Sequence, residues 1–390
     1  MKVCDVVLDS VWYDPRVRKQ INEYVRNNVD LSVVGIEDAR FNIEEINQLP
    51  CPIHIVKNNY ATTRFKILKN VIKKISRFYF LNAEIVRAII DTKPDIIHAN
   101  DLDALLPSYI ASKKIGAKVI YDTHEIFLEN AGIVSNRLFK FFWSIVERCC
   151  ISKVDLVVFV SHSAADYLVK KYKIKKFLVV TNCCPQIDNS IISNKKNFGF
   201  EVLNHGQFYE GRGYDLMVKA AQMTTEPDII YGLRGFGVME ESLKKYVTDN
   251  ALSNVKFHPP VKVNELIRFA SKSHIGLAIT VPYCLNFKLS VSNKIFEYAA
   301  AGLPIIMSDI PEHVLLNTKY NIGIILKENT PECLCSAVMK LYTDSSFYHE
   351  CSKNALRMSK ELNWEAEFSK LISFENSLCS SSNWEERWPE

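Results

Sequence analysis

Leu203-Asn204-His205-Gly206-Gln207-Phe208-Tyr209-Glu210-Gly211-Arg212-Gly213 reads as a strand, a glycine-containing turn and the start of a helix. Three glycines in eight residues let backbone amides come close to a phosphate, and a helix N-terminus adds partial positive charge. Arg212 would supply the full charge that steadies a departing diphosphate. An ordinary turn with a surface arginine has the same composition, so the stretch must be weighed with its surroundings.

Outward from this unit, short β-branched runs alternate with amphipathic helical stretches. Before it, strands are expected at Leu156–Val160, Phe177–Val180, Lys118–Tyr121, Ile96–Ala99, Ile53–Val56, Leu31–Val34 and Val3–Leu8. Helices fall between them, among others Pro15–Asn27, Phe65–Asp91, Leu102–Lys114 and Leu138–Ser152. After the strand at Glu201–Asn204 come strands at Ile229–Leu233, Val255–Phe257, Ile275–Ala278, Pro304–Met307 and Gly323–Ile325. The apolar runs are too uniform for period-two alternation, so these strands are buried on both faces of parallel sheets covered by helices. Asn182–Lys196 carry no period and contain Pro185. The expected fold class is α/β: two doubly wound, Rossmann-like parallel-sheet domains facing a cleft, where such sheets bind ligands. The divisions are 1–185, a linker at 186–197, 198–363, and a C-terminal helix in 364–390 that returns to the first domain and ends in a frayed tail.

A chain of 390 residues exceeds the usual single domain of roughly 200–250 and has room for two. Its 48% hydrophobic and 24% charged residues are those of a soluble globular protein with full cores. The net charge of +4 excludes nothing. Between Lys57 and Arg77, however, seven Lys or Arg occur with no acid, interleaved with Phe65, Ile67, Leu68, Val71, Ile72 and Ile75. The eleven cysteines include the vicinal pairs Cys149-Cys150 and Cys183-Cys184, and Cys333 and Cys335 lack zinc-site spacing, so reduced thiols are expected. The start is too short and too acidic for a signal peptide, and no apolar run approaches the ~20 residues of a membrane span. A cytosolic protein, or one on the inner face of a plasma membrane, is expected.

Asn286-Phe287-Lys288-Leu289-Ser290-Val291-Ser292-Asn293-Lys294-Ile295-Phe296-Glu297-Tyr298-Ala299-Ala300-Ala301-Gly302 supports the phosphate reading. Ser290–Asn293 precede a helix start, where the amides and hydroxyls of Ser292 and Asn293 suit a diphosphate. Glu297, about one turn in, can accept both hydroxyls of a ribose. A solvated helix-face carboxylate is the plain alternative.

Together these segments resemble the retaining glycosyltransferases of family 4, which have the GT-B fold, and the resemblance runs along most of the chain. Gly206 and Arg212-Gly213 match the diphosphate-gripping loop of that family. Phe296, Glu297, Tyr298, Ala300, Gly302 and Pro304 match its F-E-Y-x-A-x-G-x-P block, and Arg234-Gly235-Phe236-Gly237 its later glycine-rich turn. Asp14-Pro15-Arg16-Val17, Asp95–Ala99 and Tyr121-Asp122-Thr123-His124-Glu125 resemble its first domain. The resemblance implies a nucleotide-diphosphate sugar held by 198–363, at Gly206, Gly213, Lys294, Ser292, Asn293 and Arg234, and a glycan or lipid-linked acceptor held by 1–185. The expected setting is bacterial cell-envelope polysaccharide synthesis (capsule, O-antigen or exopolysaccharide). Three positions depart from the family. Leu289 stands where an earlier glutamate is common, Gln207 where an arginine is common, and Asp9–Tyr13 where a Gly-Gly loop is common. Lys294 is the candidate to replace the missing arginine.

Transfer needs a stabilised leaving diphosphate and an acceptor hydroxyl aimed at the anomeric carbon. Arg212 and Glu297 are the catalytic candidates on the donor side, with no metal or other cofactor expected. His124, which follows a buried strand, is the candidate in the first domain, unless it is a satisfied structural histidine. Asp14, Arg16, Asp122, Glu125 and Asp103 are the acceptor-side candidates. An inverting enzyme would need a base, sought first at Asp122, His124 and Glu125. The stretch 57–77 reads as a membrane-surface helix or an ordinary surface one, and Leu138–Trp143 as an apolar wedge or core. The lack of glycine in 9–18 argues against a dinucleotide-dependent oxidoreductase, and the lack of a recognised aromatic and basic motif against nucleic-acid binding. An inactive GT-B subunit binding nucleotide or a partner protein is the remaining alternative.

Overall fold

The computed structural model describes residues 1–8, 11, 14–37, 43–57, 67–188, 192 and 198–379, with backbone only for 43 and 67–77. Two compact units emerge: Met1–Thr181 with the segment from Glu367 onward, and Asn182–Ala366.

The first unit holds β1 (Lys2–Val7), β2 (Asp30–Ile36), β3 (Ile53–Val56), β4 (Ile96–Asn100), β5 (Lys118–Thr123), β6 (Leu156–Phe159) and β7 (Phe177–Val179). They form one sheet in the order β3-β2-β1-β4-β5-β6-β7, parallel throughout. The second unit holds β8 (Phe200–Gln207), β9 (Ile229–Phe236), β10 (Val255–His258), β11 (Ile275–Ala278), β12 (Ile305–Ser308) and β13 (Gly323–Leu326). These too are parallel, in the order β10-β9-β8-β11-β12-β13. Every residue of β4, β6, β11 and β12 is buried, as expected for strands covered by helices on both faces. Both units are therefore doubly wound α/β domains, as the sequence leads one to expect.

Each sheet reverses its winding beside its first strand, so the connections after β1 and β4, and after β8 and β11, diverge at the carboxyl ends. The chemistry-bearing residues gather at those ends. Local signals place the helices that follow. Asp14 caps the helix Pro15–Arg26, its Oδ1 accepting from the amides of Arg16 (2.8 Å) and Val17 (3.1 Å), with Pro15 in the first turn. The helix Trp364–Cys379 begins in the second unit and joins the first from Glu367. There Phe368 meets the Tyr24 ring edge-on at 5.0 Å, and Glu375 accepts the Tyr24 hydroxyl at 2.6 Å. All eleven cysteines are free. No helix among the described residues is long and apolar enough to cross a membrane.

Candidate active site

In the second unit the quoted turn closes as a phosphate loop would. Gly206 (φ 117°), Gly211 (φ 78°) and Gly213 (φ 77°) all take backbone conformations that disfavour a side chain. A Cβ on Gly213 would also meet Ile279 Cβ at 2.5 Å, so the helix Tyr214–Met223 starts hard against the end of β11. Lys294, in the first turn of the helix Asn293–Ala300, reaches across to this loop. Its Nζ donates to Asn204 Oδ1 at 2.6 Å and lies 5.0 Å from the Tyr214 ring centroid. Asn204 in turn donates to the Arg212 carbonyl at 3.1 Å. The Arg212 guanidinium lies over Phe287 at 4.6 Å, and among the described residues it pairs with no carboxylate. Glu297 accepts from His205 Nε2 at 2.6 Å and keeps 24% of its side chain exposed.

Gly206, Arg212, Gly213, Lys294 and Glu297 are thus brought together around the end of β8. Two basic groups meet there beside Glu297, which is itself bonded to His205, and the electrostatics record the imbalance. Burial pushes the Lys294 amine down to about 7, Arg212 repels it further, and Glu297 opposes both. Burial also lowers Arg212. Ser292 caps the helix Asn293–Ala300 without a side-chain cap bond, and its amide faces His313 Nε2 at 3.4 Å. Asn293 is exposed. Burial holds His313 down at about 4, so its neutral ring can donate from Nδ1 to the Ser308 carbonyl (3.1 Å) and accept at Nε2. Arg234 does not join the cluster: it donates to the Pro259 carbonyl at 3.0 Å and lies over Phe269 at 4.9 Å. Sequence reasoning missed Asn204 and His205, although both lie in the stretch that decided the fold.

In the first unit, the carboxyl ends of β1, β4 and β5 carry a buried polar network. Asp122 is fully buried and receives Arg16 Nε and Nη2, each at 3.0 Å, and Gln20 Nε2 at 2.7 Å. Burial would raise its carboxyl, but Arg16, His98 and His124 hold it well below the ordinary range. Arg16 is buried too and also donates to the Val180 carbonyl. Arg16 and Asp122, acceptor-side candidates from the sequence, thus pair with each other away from solvent. Behind them His98 Nδ1 meets the Tyr24 hydroxyl at 2.8 Å. Asn100 bonds Asp5 on one side and, through Oδ1, His124 Nε2 at 2.9 Å on the other.

His124 is ringed by acids: Asp101 at 3.4 Å, Asp14 at 3.5 Å and Asp122 at 3.9 Å. Burial opposes its charge, but the three carboxylates outweigh burial and lift it to about 9. At neutral pH it is an imidazolium, a charged donor and not a base. Asp101 opens the helix Asp101–Ile115 in a left-handed conformation (φ 64°), a strained position of the kind that gathers at functional sites. Asp103 sits in the first turn of that helix. Glu125 accepts Asn130 Nδ2 on both oxygens at 2.7 Å.

With this geometry in hand, two family models match: Glycosyltransferase Family 4 over residues 16–184 and Glycosyl transferases group 1 over residues 199–344. The chain belongs to the family 4 glycosyltransferases. It is 26% identical over 125 residues to sucrose-phosphate synthase from Zea mays, which is 31% of this chain and 11% of that protein. It is 28% identical over 109 residues to a probable sucrose-phosphate synthase 2 from Craterostigma plantagineum, 28% of this chain and 10% of that protein. Each match spans only about a tenth of the curated relative. Solved structures resemble the whole chain. HepE from Anabaena, in complex with UDP and glucose, superposes with a TM-score of 0.74 at 15% identity, covering 97% of this chain and all of that one (100%). A glycosyltransferase from Rickettsia africae gives 0.72 at 14% identity, covering 98% of this chain and 99% of that one. Among the family's usual positions, Leu289 ends the short helix Leu285–Leu289, and Gln207 is exposed at the end of β8.

Proposed function

We propose that the protein transfers a sugar from a nucleotide-diphosphate sugar to a hydroxyl of a glycan or lipid-linked acceptor, with retention, in envelope polysaccharide synthesis. The observation that carries the reading is the pair Arg212 and Lys294, two basic groups at a glycine loop where the acid at hand, Glu297, is engaged by His205. A diphosphate supplies the balancing charge, and the two cations together with the loop amides do the work for which other sites employ a metal. Glu297, partly open beside them, suits the hydroxyls of the attached ribose. UDP is our preferred nucleotide, because HepE is solved with it.

Retention is supported by the fate of the three groups an inverting enzyme would draw on for a base. Asp122 is locked in an ion pair, His124 is cationic, and both Glu125 oxygens are bonded to Asn130. His124 instead holds positive charge at this end of the sheet, its ring nitrogens engaged by Asn100 and by Asp14 and Asp101. A lipid-linked acceptor would be met at a membrane surface. The basic stretch 57–77 fits that setting, although 58–66 and the side chains of 67–77 lie outside the described residues. The leucine at 289 favours one rival, a subunit that binds nucleotide without turnover. Thermal shift with UDP, GDP and their sugars, followed by donor hydrolysis, tests both. UDP stabilisation lost in Arg212→Ala together with hydrolysis supports transfer. Stabilisation without hydrolysis points to the rival, and no nucleotide effect sinks both.

A further inference from the structure

Lys294 and Glu297 stand three residues apart on the helix Asn293–Ala300, the spacing at which a lysine and a glutamate ordinarily pair. Here they do not. Lys294 Nζ turns to Asn204 Oδ1 at 2.6 Å and Glu297 Oε2 turns to His205 Nε2 at 2.6 Å. No ion pair joins the two among the described residues. Asn204 and His205 are consecutive in β8, so one dipeptide receives both members of the pair.

The dipeptide is itself held. Asn204 Nδ2 donates to the Arg212 carbonyl at 3.1 Å, which ties the amide to the glycine loop. The buried His205 donates its backbone N–H to the Tyr298 hydroxyl at 3.1 Å, and the two rings lie 4.5 Å apart. Tyr298 is fully buried against β11, where a Cβ on Gly276 would come within 2.2 Å of its ring. His205 Nδ1 is buried with no hydrogen-bond partner among the described residues, so the polar contact of this ring is made to Glu297. With its proton on Nε2, the ring donates to the carboxylate without cancelling its charge, and the Asn204 amide receives the ammonium on the same terms. Released, the two side chains would close on each other, and a ligand would have to break their ion pair before meeting either charge. Keeping them apart leaves its mark: burial and Arg212 push the Lys294 amine down to about 7, and Glu297 offsets them only in part.

We propose that Asn204 and His205 are positioning residues that hold Lys294 and Glu297 apart, so that the lysine meets the diphosphate and the carboxylate meets the ribose. The assignment rests on the donor reading above and adds how two opposite charges one helical turn apart serve a single ligand.

Calorimetric titration with UDP, GDP and their 2′,3′-dideoxy forms, just below pH 7 where Lys294 carries its charge, tests it. In the parent the preferred ribonucleotide binds about tenfold or more tighter than its dideoxy form, through charged hydrogen bonds to Glu297. His205→Phe keeps a ring against Tyr298 but cannot donate. Its ribose preference shrinks toward parity, and the dideoxy form also weakens, on the order of tenfold, because Glu297 now engages Lys294. His205→Gln, whose amide nitrogen reaches to where Nε2 stood, restores the preference. Glu297→Gln separates this from a damaged fold: it tightens the dideoxy form about tenfold more on His205→Phe than in the parent. Asn204→Ala, which releases Lys294 instead, weakens the dideoxy form likewise and is likewise relieved by Glu297→Gln, so the test stands without a folded His205→Phe. A His205→Phe variant that keeps the parent's ribose preference overturns the proposal and leaves the donor reading intact. So does a Glu297→Gln effect equal in the parent and in both variants. A parent that binds neither nucleotide in either form overturns the donor reading and this inference with it.

Discussion

Lys294 provides the most searching prediction. Its amine falls to about 7 from an ordinary 10.5, through burial first and then through Arg212, with Glu297 opposing. A diphosphate set between the two cations supplies the charge both lack, so binding draws a proton onto Lys294. Full return to the ordinary value would be linked to about 5 kcal/mol, an upper bound on the effect. Below about pH 7 the amine is already charged and donor affinity is flat. Above it, binding must take up a proton, and Kd rises about tenfold per pH unit until the bound-state pKa is passed. A UDP-sugar is the right probe because its diphosphate, esterified at both ends, does not titrate in this range. Arg212→Ala separates two effects. Near pH 6 the loss of charged hydrogen bonds, about 1.5–3 kcal/mol, weakens binding roughly 10- to 150-fold. The break itself moves to higher pH, because the repulsion on Lys294 is gone. Lys294→Met abolishes it. Calorimetric titration in two buffers of different ionisation enthalpy counts the proton directly. A parent Kd flat from about pH 7 to 9, or a break unmoved in Arg212→Ala, refutes the reasoning.

Asp122→Asn removes the carboxylate that receives Arg16 Nε and Nη2 in the buried pair and should cost about 3–5 kcal/mol, read as a fall in urea midpoint at unchanged m-value. Glu375 is raised by burial to about 7, so its neutral form favours the fold and that contribution is lost as pH climbs from about 4.5 to 7. Glu375→Gln should therefore leave Tm unchanged near pH 4 and raise it near pH 8. Gly213→Ala combines a left-handed backbone with a clash on Ile279, and a loss of about 1–3 kcal/mol with weakened UDP binding is expected by thermal melt and titration.

The sheets were legible because parallel strands bury both faces and leave uniform apolar runs, such as Ile275–Ala278. Strand ends were less so: β8 runs on through Gly206 and Gln207, where glycine had suggested a turn. Asp14-Pro15 announced its helix through cap chemistry that needs only neighbours in sequence. The site divided along the same line. Gly206, Arg212 and Gly213 stand within eight residues, but the Glu297–His205 bond joins positions 92 apart. Nothing local marks such a partner. Arg16 and Asp122 show a different limit of the sequence. A polar residue after a buried strand reads alike whether it opens to a ligand or closes on an ion pair, and only the fold brings this pair together. Leu138–Trp143 divides by face, with Trp143 packed and Leu138 bare.

The helix from Trp364 to Cys379 gives synthesis an unusual schedule. All seven strands of the first unit have been translated by Val179, yet the ring and carboxylate that Tyr24 meets, Phe368 and Glu375, arrive only after the entire second unit has been made. At about 5–20 residues per second, that wait is on the order of ten to forty seconds. Until then the first half carries the Tyr24 ring without Phe368 against it and the Tyr24 hydroxyl without Glu375 as its acceptor. Fragments cut at the linker would inherit the same gap permanently.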